Sequence, residues 1–117
     1  MYHIRARFHD REEEKDEPDA ERKGKRGERE VAQLLRDHGY PGRRTSQYAG
    51  MTGDSSDVVG LDGYHVEVKR QERAAIYEWF AQARRDCGSD IPLVVFRRSG
   101  DKWMALIEFE DFLEAIK

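Results

Sequence analysis

Asp57, Glu67 and Lys69 are the residues whose types and spacing can do chemistry together. They lie in Asp57-Val58-Val59-Gly60-Leu61-Asp62-Gly63-Tyr64-His65-Val66-Glu67-Val68-Lys69, two short apolar runs about an Asp-Gly pair. That pattern is a strong hairpin signal. A two-residue loop at Asp62-Gly63 would pair Leu61 with Tyr64 and set Asp57 opposite Val68, on the other face from Glu67. A three-residue loop, Leu61-Asp62-Gly63 with the glycine left-handed, pairs Gly60 with Tyr64, Val58 with Val66, and Asp57 with Glu67. We adopt this second register. It sets two carboxylates about 5 Å apart at Cβ, where they repel unless a proton or a cation lies between them. Alternation carries Lys69 to the same face and leaves Val58, Tyr64, Val66 and Val68 on an apolar, core-facing side. Acids and a lysine on a buried hairpin cost stability, so the cluster calls for a functional reason.

Several elements must hold that hairpin. Upstream, Arg22-Lys23-Gly24-Lys25-Arg26-Gly27-Glu28-Arg29-Glu30 leads into Val31, Leu34, Leu35 and His38, whose spacing is that of an amphipathic helix ended by Gly39-Tyr40-Pro41. On this reading Glu28 projects from the first turn, either complementing the helix dipole or aimed at a metal site. Lys25, Arg26 and Arg29, with the helix amides, suit phosphate oxygens. Residues 42–49 read as a strand bearing Arg43, Arg44 and Gln47, with the two arginines as further phosphate contacts. Residues 50–56 read as a flexible loop. After Lys69, Arg70-Gln71-Glu72-Arg73 leads to a helix over residues 74–87 with Ile76, Phe80, Ala83 and Cys87 buried. On that helix Trp79 is ambiguous, and Gln82 either reaches the site or is exposed. An apolar strand covered on both faces follows over residues 91–98, then a strand over 103–108 and a short helix bearing Phe109, Phe112, Leu113 and Ile116.

Composition sets bounds on what these elements can do. The 117 residues carry a net charge of −3, which by itself argues against a nucleic-acid partner. The distribution reverses that impression: residues 9–21 hold eight acids against two bases, whereas residues 22–117 come out at +1. We therefore divide the chain into an acidic arm, residues 1–21, and one domain, residues 22–117. Residues 1–8 could form a short strand. Cys87 is the only cysteine, which excludes an intramolecular disulfide and a cysteine zinc site and reads as a core thiol. With no apolar run approaching 18 residues and no signal peptide, a soluble cytoplasmic protein with no membrane association is expected.

The Asp57, Glu67-Val68-Lys69 hairpin resembles that of the PD-(D/E)xK nuclease superfamily, although Ser56 stands where a proline usually precedes the aspartate. The element order extends the resemblance, since it gives an α/β, restriction-endonuclease-like αβββαβ core, a central mixed sheet flanked by helices, plus an extra C-terminal strand and helix. More narrowly, Lys23 to Glu30, Arg43-Arg44 with Gln47, Asp57 to Gly60, His65 to Arg70 and Gln82-Ala83 are similar to phage-type Holliday-junction-resolvase-like endonucleases over residues 22–113. The resemblance implies that Asp57, Glu67 and the Val68 carbonyl hold a divalent metal, Mg²⁺ or Mn²⁺, whose preference for hard oxygen ligands they match. It makes Lys69 the catalytic lysine and Glu28 the helix-borne acid, with one or two metals per site left open. It adds Arg70 to the DNA contacts and Thr45 or Ser46 as accessory hydroxyls. It further implies hydrolysis of DNA phosphodiesters leaving 5′-phosphate ends, at branched DNA, by a homodimer. Aromatics such as Tyr48, Tyr77 or Trp79 are candidates for its interface, and each is more simply a core residue. Two rivals remain: a nuclease of the same chemistry on nicked, flapped or restriction-type substrates, and a catalytically silent DNA-binding module.

Overall fold

The computed structural model describes residues 19–45 and 56–117. The acidic arm up to residue 18, Ser46, Gln47, Tyr48 and, except for Ser56, the loop expected at 50–56 lie outside the described residues. In chain order the elements are α1 (Asp19–Asp37), β1 (Arg43–Arg44), β2 (Val58–Val59), β3 (Tyr64–Arg70), α2 (Ile76–Asp86), β4 (Ile91–Arg97), β5 (Met104–Leu106) and α3 (Phe109–Ala115). This is the α/β architecture of a restriction-endonuclease-like core. The five strands form one sheet in the order β1-β2-β3-β4-β5. Only β3 and β4 pair in parallel, joined through α2; the other neighbours are antiparallel.

One helix covers each face of the sheet. On the first, Val31 and Ala32 of α1 pack on Val58, Val66, Val68 and Leu93, with Leu35 and Trp103 against them. On the second, Trp79, Phe80 and Ala83 of α2 pack on Val94, with Phe96 and Leu106 alongside. Strand β4 therefore sends Leu93 and Val95 to one helix and Val94 and Phe96 to the other. Only its first half is fully covered, because Val95, Phe96 and Arg97 are half-buried. Strand β3 differs: Val66 and Val68 face α1, but the alternate row toward α2 is His65, Glu67 and Lys69. A central strand paired in parallel is normally apolar on both faces. Here the functional row is cut into the second core.

Helix α1 is described from Asp19 onward, so Glu28 stands in mid-helix rather than in the first turn. The Ala, Glu, Lys and Arg residues over 19–30 are strong helix formers, and together they outweigh two interior glycines at about 1 kcal/mol each. Gly27 has a packing reason: a Cβ there would lie 3.0 Å from Arg70 Cβ and 3.3 Å from the Trp103 ring. At the hairpin, Tyr64 N–H donates to Leu61 O at 3.1 Å, the closing bond of a two-residue turn at Asp62-Gly63 with Gly63 at φ 84°, whereas Val58 pairs with Val66, as in the three-residue-loop register. Asp57 departs from it. Its N–H donates to Val66 O at 2.9 Å, so Asp57 and Val58 both face Val66, as at a β-bulge, and Asp57 is not the ladder partner of Glu67.

Two further expectations need correction, and the ambiguity at Trp79 is resolved. Cys87 is half-buried at the C-cap of α2, its Sγ 3.3 Å from Arg84 O; it is not a core thiol. Trp79 is core, 5% exposed, packed against Phe96 at 5.6 Å between centroids, whereas Tyr77 is 85% exposed. The last strand spans only Met104–Leu106.

Candidate active site

The site forms where the C-terminal half of β3 passes between α1 and α2. A cleft of about 610 Å³ opens there, lined by Lys23, Gly24 and Glu28 of α1, by Asp57, by Glu67 to Glu72, and by Gln82 of α2. Alternation along β3 fixes which side chains enter it, and the bulge at Asp57 turns that carboxylate toward them. Asp57 Oδ2 accepts Val68 N–H at 2.9 Å. The Asp57 and Glu67 carboxyls lie within hydrogen-bonding reach of each other. Glu67 is 2% exposed, beside Val94 in the sheet.

The electrostatics follow from this placement. Burial first, then the Glu67 charge, push the Asp57 carboxyl up to about 7. Burial also raises Glu67, against the opposing pull of the Asp57 hydrogen bond and of Lys69, with Asp86 and Glu28 adding smaller upward pushes. Two acids held together out of water favour a shared proton or a bound cation. The hard oxygen donors of Asp57 and Glu67 therefore fit a divalent ion such as Mg²⁺ or Mn²⁺. Lys69 Nζ donates to Gln82 Oε1 at 3.0 Å, so of the two readings left open for Gln82, the structure brings it to the site.

Glu28 reaches the same cleft from α1, but its Oε1 accepts from Arg44 Nε at 2.9 Å. Burial is the largest influence on Glu28 and raises its pKa; the Arg44 hydrogen bond opposes it. Among the described residues, the three ligand-bearing side chains whose atoms gather within 4.8 Å of one another are His65, Glu67 and Asp86. His65 Nε2 lies 2.7 Å from Glu67 Oε1, and its Nδ1 lies 2.9 Å from Ser56 Oγ. Sequence reasoning gave no role to His65, Ser56 or Asp86. Alternation alone places His65 on the Glu67 face, and Asp86 follows Gln82 by one helical turn, so both were within reach of the pattern.

The basic residues divide. Arg29 and Arg43 are exposed, and Lys25 and Arg26 are half-buried on α1. Arg44 is taken up by Glu28. Arg70 is 8% exposed, with Nε 4.0 Å from Glu30 on the α1 face, and it also lines the cleft. Arg97 completes that cluster, donating to Glu30 at 2.9 Å and lying 5.3 Å over the Trp103 ring. Thr45 Oγ1 donates to Ser56 O at 2.8 Å, which ties β1 to the strand carrying Asp57.

A family model described as "Phage putative PDDEXK endonuclease" matches residues 19–117. The chain belongs to this family. The match encloses every residue of the cleft. No curated protein matches the chain. The PDDEXK domain has no helix, among its described residues, long and apolar enough to cross a membrane.

Proposed function

We propose that this PDDEXK domain is a divalent-metal-dependent endodeoxyribonuclease that hydrolyses phosphodiester bonds in branched DNA, four-way junctions above all, as a homodimer. The observation that carries the reading is the meeting of the Asp57 and Glu67 carboxyls in a cleft that also holds Lys69. In this reading Asp57, Glu67 and the Val68 carbonyl hold Mg²⁺ or Mn²⁺, and Glu28 stands by as a further acid. When bound, such an ion supplies Lewis acidity toward the phosphate and makes water more acidic.

The chain's own residues do the rest. Val68 N–H fixes the Asp57 carboxylate by one oxygen. Gln82 accepts one hydrogen bond from the Lys69 ammonium and aims the remaining donors into the cleft, where they bind a non-bridging oxygen and stabilise charge developing on phosphorus. Burial of Glu67 against the α2 core keeps that side of the cleft dry and strengthens each of these interactions. Lys25, Arg26, Arg29 and Arg43 supply phosphate contacts that orient the duplex arms. Support for a branched substrate comes from the similarity of residues 22–113 to Holliday-junction-resolvase-like endonucleases; two symmetric nicks then require two sites related by a twofold axis.

The test is cleavage of an immobile four-way junction beside a linear duplex of the same arms, with Mg²⁺ or Mn²⁺ and with chelator, using Glu67→Ala as the blank. Paired nicks on the junction, absent in the blank, are expected. Equal cutting of both substrates refutes the junction preference and retains the nuclease. Binding without metal-dependent cutting of either refutes the nuclease.

A further inference from the structure

Each of the two central acids has one oxygen held by a nitrogen. For Asp57 the holder is the Val68 backbone N–H, which cannot move without breaking the sheet. For Glu67 it is His65 Nε2, 2.7 Å from Oε1. A carboxylate only accepts, so Nε2 carries the proton in the metal-binding state. The neutral ring then offers Nδ1 as an acceptor, and Ser56 Oγ, 2.9 Å away, donates to it. His65 is 2% exposed and Ser56 8%, so neither hydrogen bond competes with solvent. Ser56 is itself anchored, because its carbonyl accepts from Thr45 Oγ1. The residue that departs from the superfamily's proline thus supplies the hydroxyl that sets the imidazole.

We propose that His65 is a positioning residue for Glu67: tethered by Ser56, it clamps one carboxylate oxygen so that the other faces Asp57 and a divalent cation. The inference rests on the metal-dependent reading above and extends it to a residue outside the acid-lysine set. Ligating carboxylates are commonly held by such outer hydrogen bonds, and removing one typically weakens metal affinity or activity 10–100-fold. Ring volume alone does not meet the requirement; an N–H at the ε position does. Asp86, near both groups, adds charge without supplying a donor.

The experiment measures Mn²⁺ affinity of the full chain by electron paramagnetic resonance, with cleavage kinetics in parallel, for wild type, His65→Phe, His65→Gln and Ser56→Ala. Phenylalanine keeps bulk without a donor, and glutamine restores an N–H near the ε position. For His65→Phe we expect about 10–100-fold weaker Mn²⁺ binding, a lower kcat and an unchanged KM for DNA. His65→Gln recovers most of the affinity, and Ser56→Ala loses several-fold. Wild-type affinity in His65→Phe overturns the proposal, as does failure of glutamine to rescue. A ¹⁴N coupling to Mn²⁺ in the wild-type spectrum also overturns it, since the ring would then be a ligand. If His65→Phe does not fold, Ser56→Ala decides: weaker Mn²⁺ binding supports the tether and unchanged binding refutes it. Absence of Mn²⁺ binding in wild type overturns the metal-dependent reading itself, whereas wild-type binding with indifferent variants overturns only the role of His65.

Discussion

The Asp57 carboxyl is pushed from its ordinary 3.8 to about 7, and that displacement has a sign that can be tested without DNA. The unfolded chain releases this proton near pH 4, whereas the metal-free native state holds it until about pH 7. Between those values the native state binds more protons, so stability falls as pH rises. The contribution of the neutral carboxyl is fully present below pH 4 and lost above pH 7. At about 1.4 kcal/mol per tenfold, the penalty on the ionised form approaches roughly 4 kcal/mol. Asp57→Asn removes the charge while its amide oxygen still accepts Val68 N–H. In chelator the variant should match wild type near pH 4 and exceed it at pH 8, by up to roughly 4 kcal/mol, or about 15 °C in Tm for a domain near 100 residues. Mn²⁺ should stabilise wild type at pH 8 and leave Asp57→Asn largely unaffected. Thermal unfolding from pH 4 to 9, with chelator and with Mn²⁺, reads all of this. Parallel pH profiles for the two proteins, or a variant less stable than wild type at pH 8 in chelator, would refute the argument that burial and Glu67 strain Asp57.

Three further outcomes are expected. Lys69→Met should lower kcat about 10²–10³-fold, the usual cost of removing one transition-state donor, while Mn²⁺ binding is retained because a competing positive charge is gone; kcat within threefold of wild type would exclude Lys69 from the chemistry. The two glycines of α1 should respond with opposite signs in thermal melts. Gly24→Ala, with nothing within 4 Å of the new Cβ, gains up to about 1 kcal/mol from helix propensity, whereas Gly27→Ala, pressed on Arg70 and Trp103, loses about 1–2 kcal/mol once crowding outweighs that gain. Glu30→Ala strips Arg97 and the buried Arg70 of their shared carboxylate and should cost about 2 kcal/mol in denaturant unfolding; a change within 0.5 kcal/mol would mean that the cluster is solvated.

The Asp62-Gly63 turn, the Val58–Val66 register and the alternation that sets His65, Glu67 and Lys69 opposite Val66 and Val68 were all legible in the residues. Each depends on neighbours a few positions apart, and backbone geometry fixes them wherever the hairpin sits. The amphipathic stretches of α1 and α2 were legible for the same reason. Their ends were less so: the run over residues 19–30 carries no apolar stripe to announce a helix, and only contact of Gly27 with Arg70 and Trp103 explains glycine in its middle. Family resemblance pointed to Glu28, yet it could not show that Arg44 holds that carboxylate, because the two residues come from different elements.

What the sequence determined by itself is therefore the set of side chains that share a face: acids and lysine on one side of β3, valines on the other. What only the tertiary structure decided is what covers each face. Packing of α2 over the polar row buries Glu67, brings Gln82 to Lys69 and Asp86 to His65, and raises the pKa of both central acids. Packing of α1 over the opposite row draws Arg70 inward to Glu30. Facing is a local property of alternating dihedrals, whereas burial, desolvation and partner choice depend on segments distant in the chain, and those quantities turn a row of charges into a site.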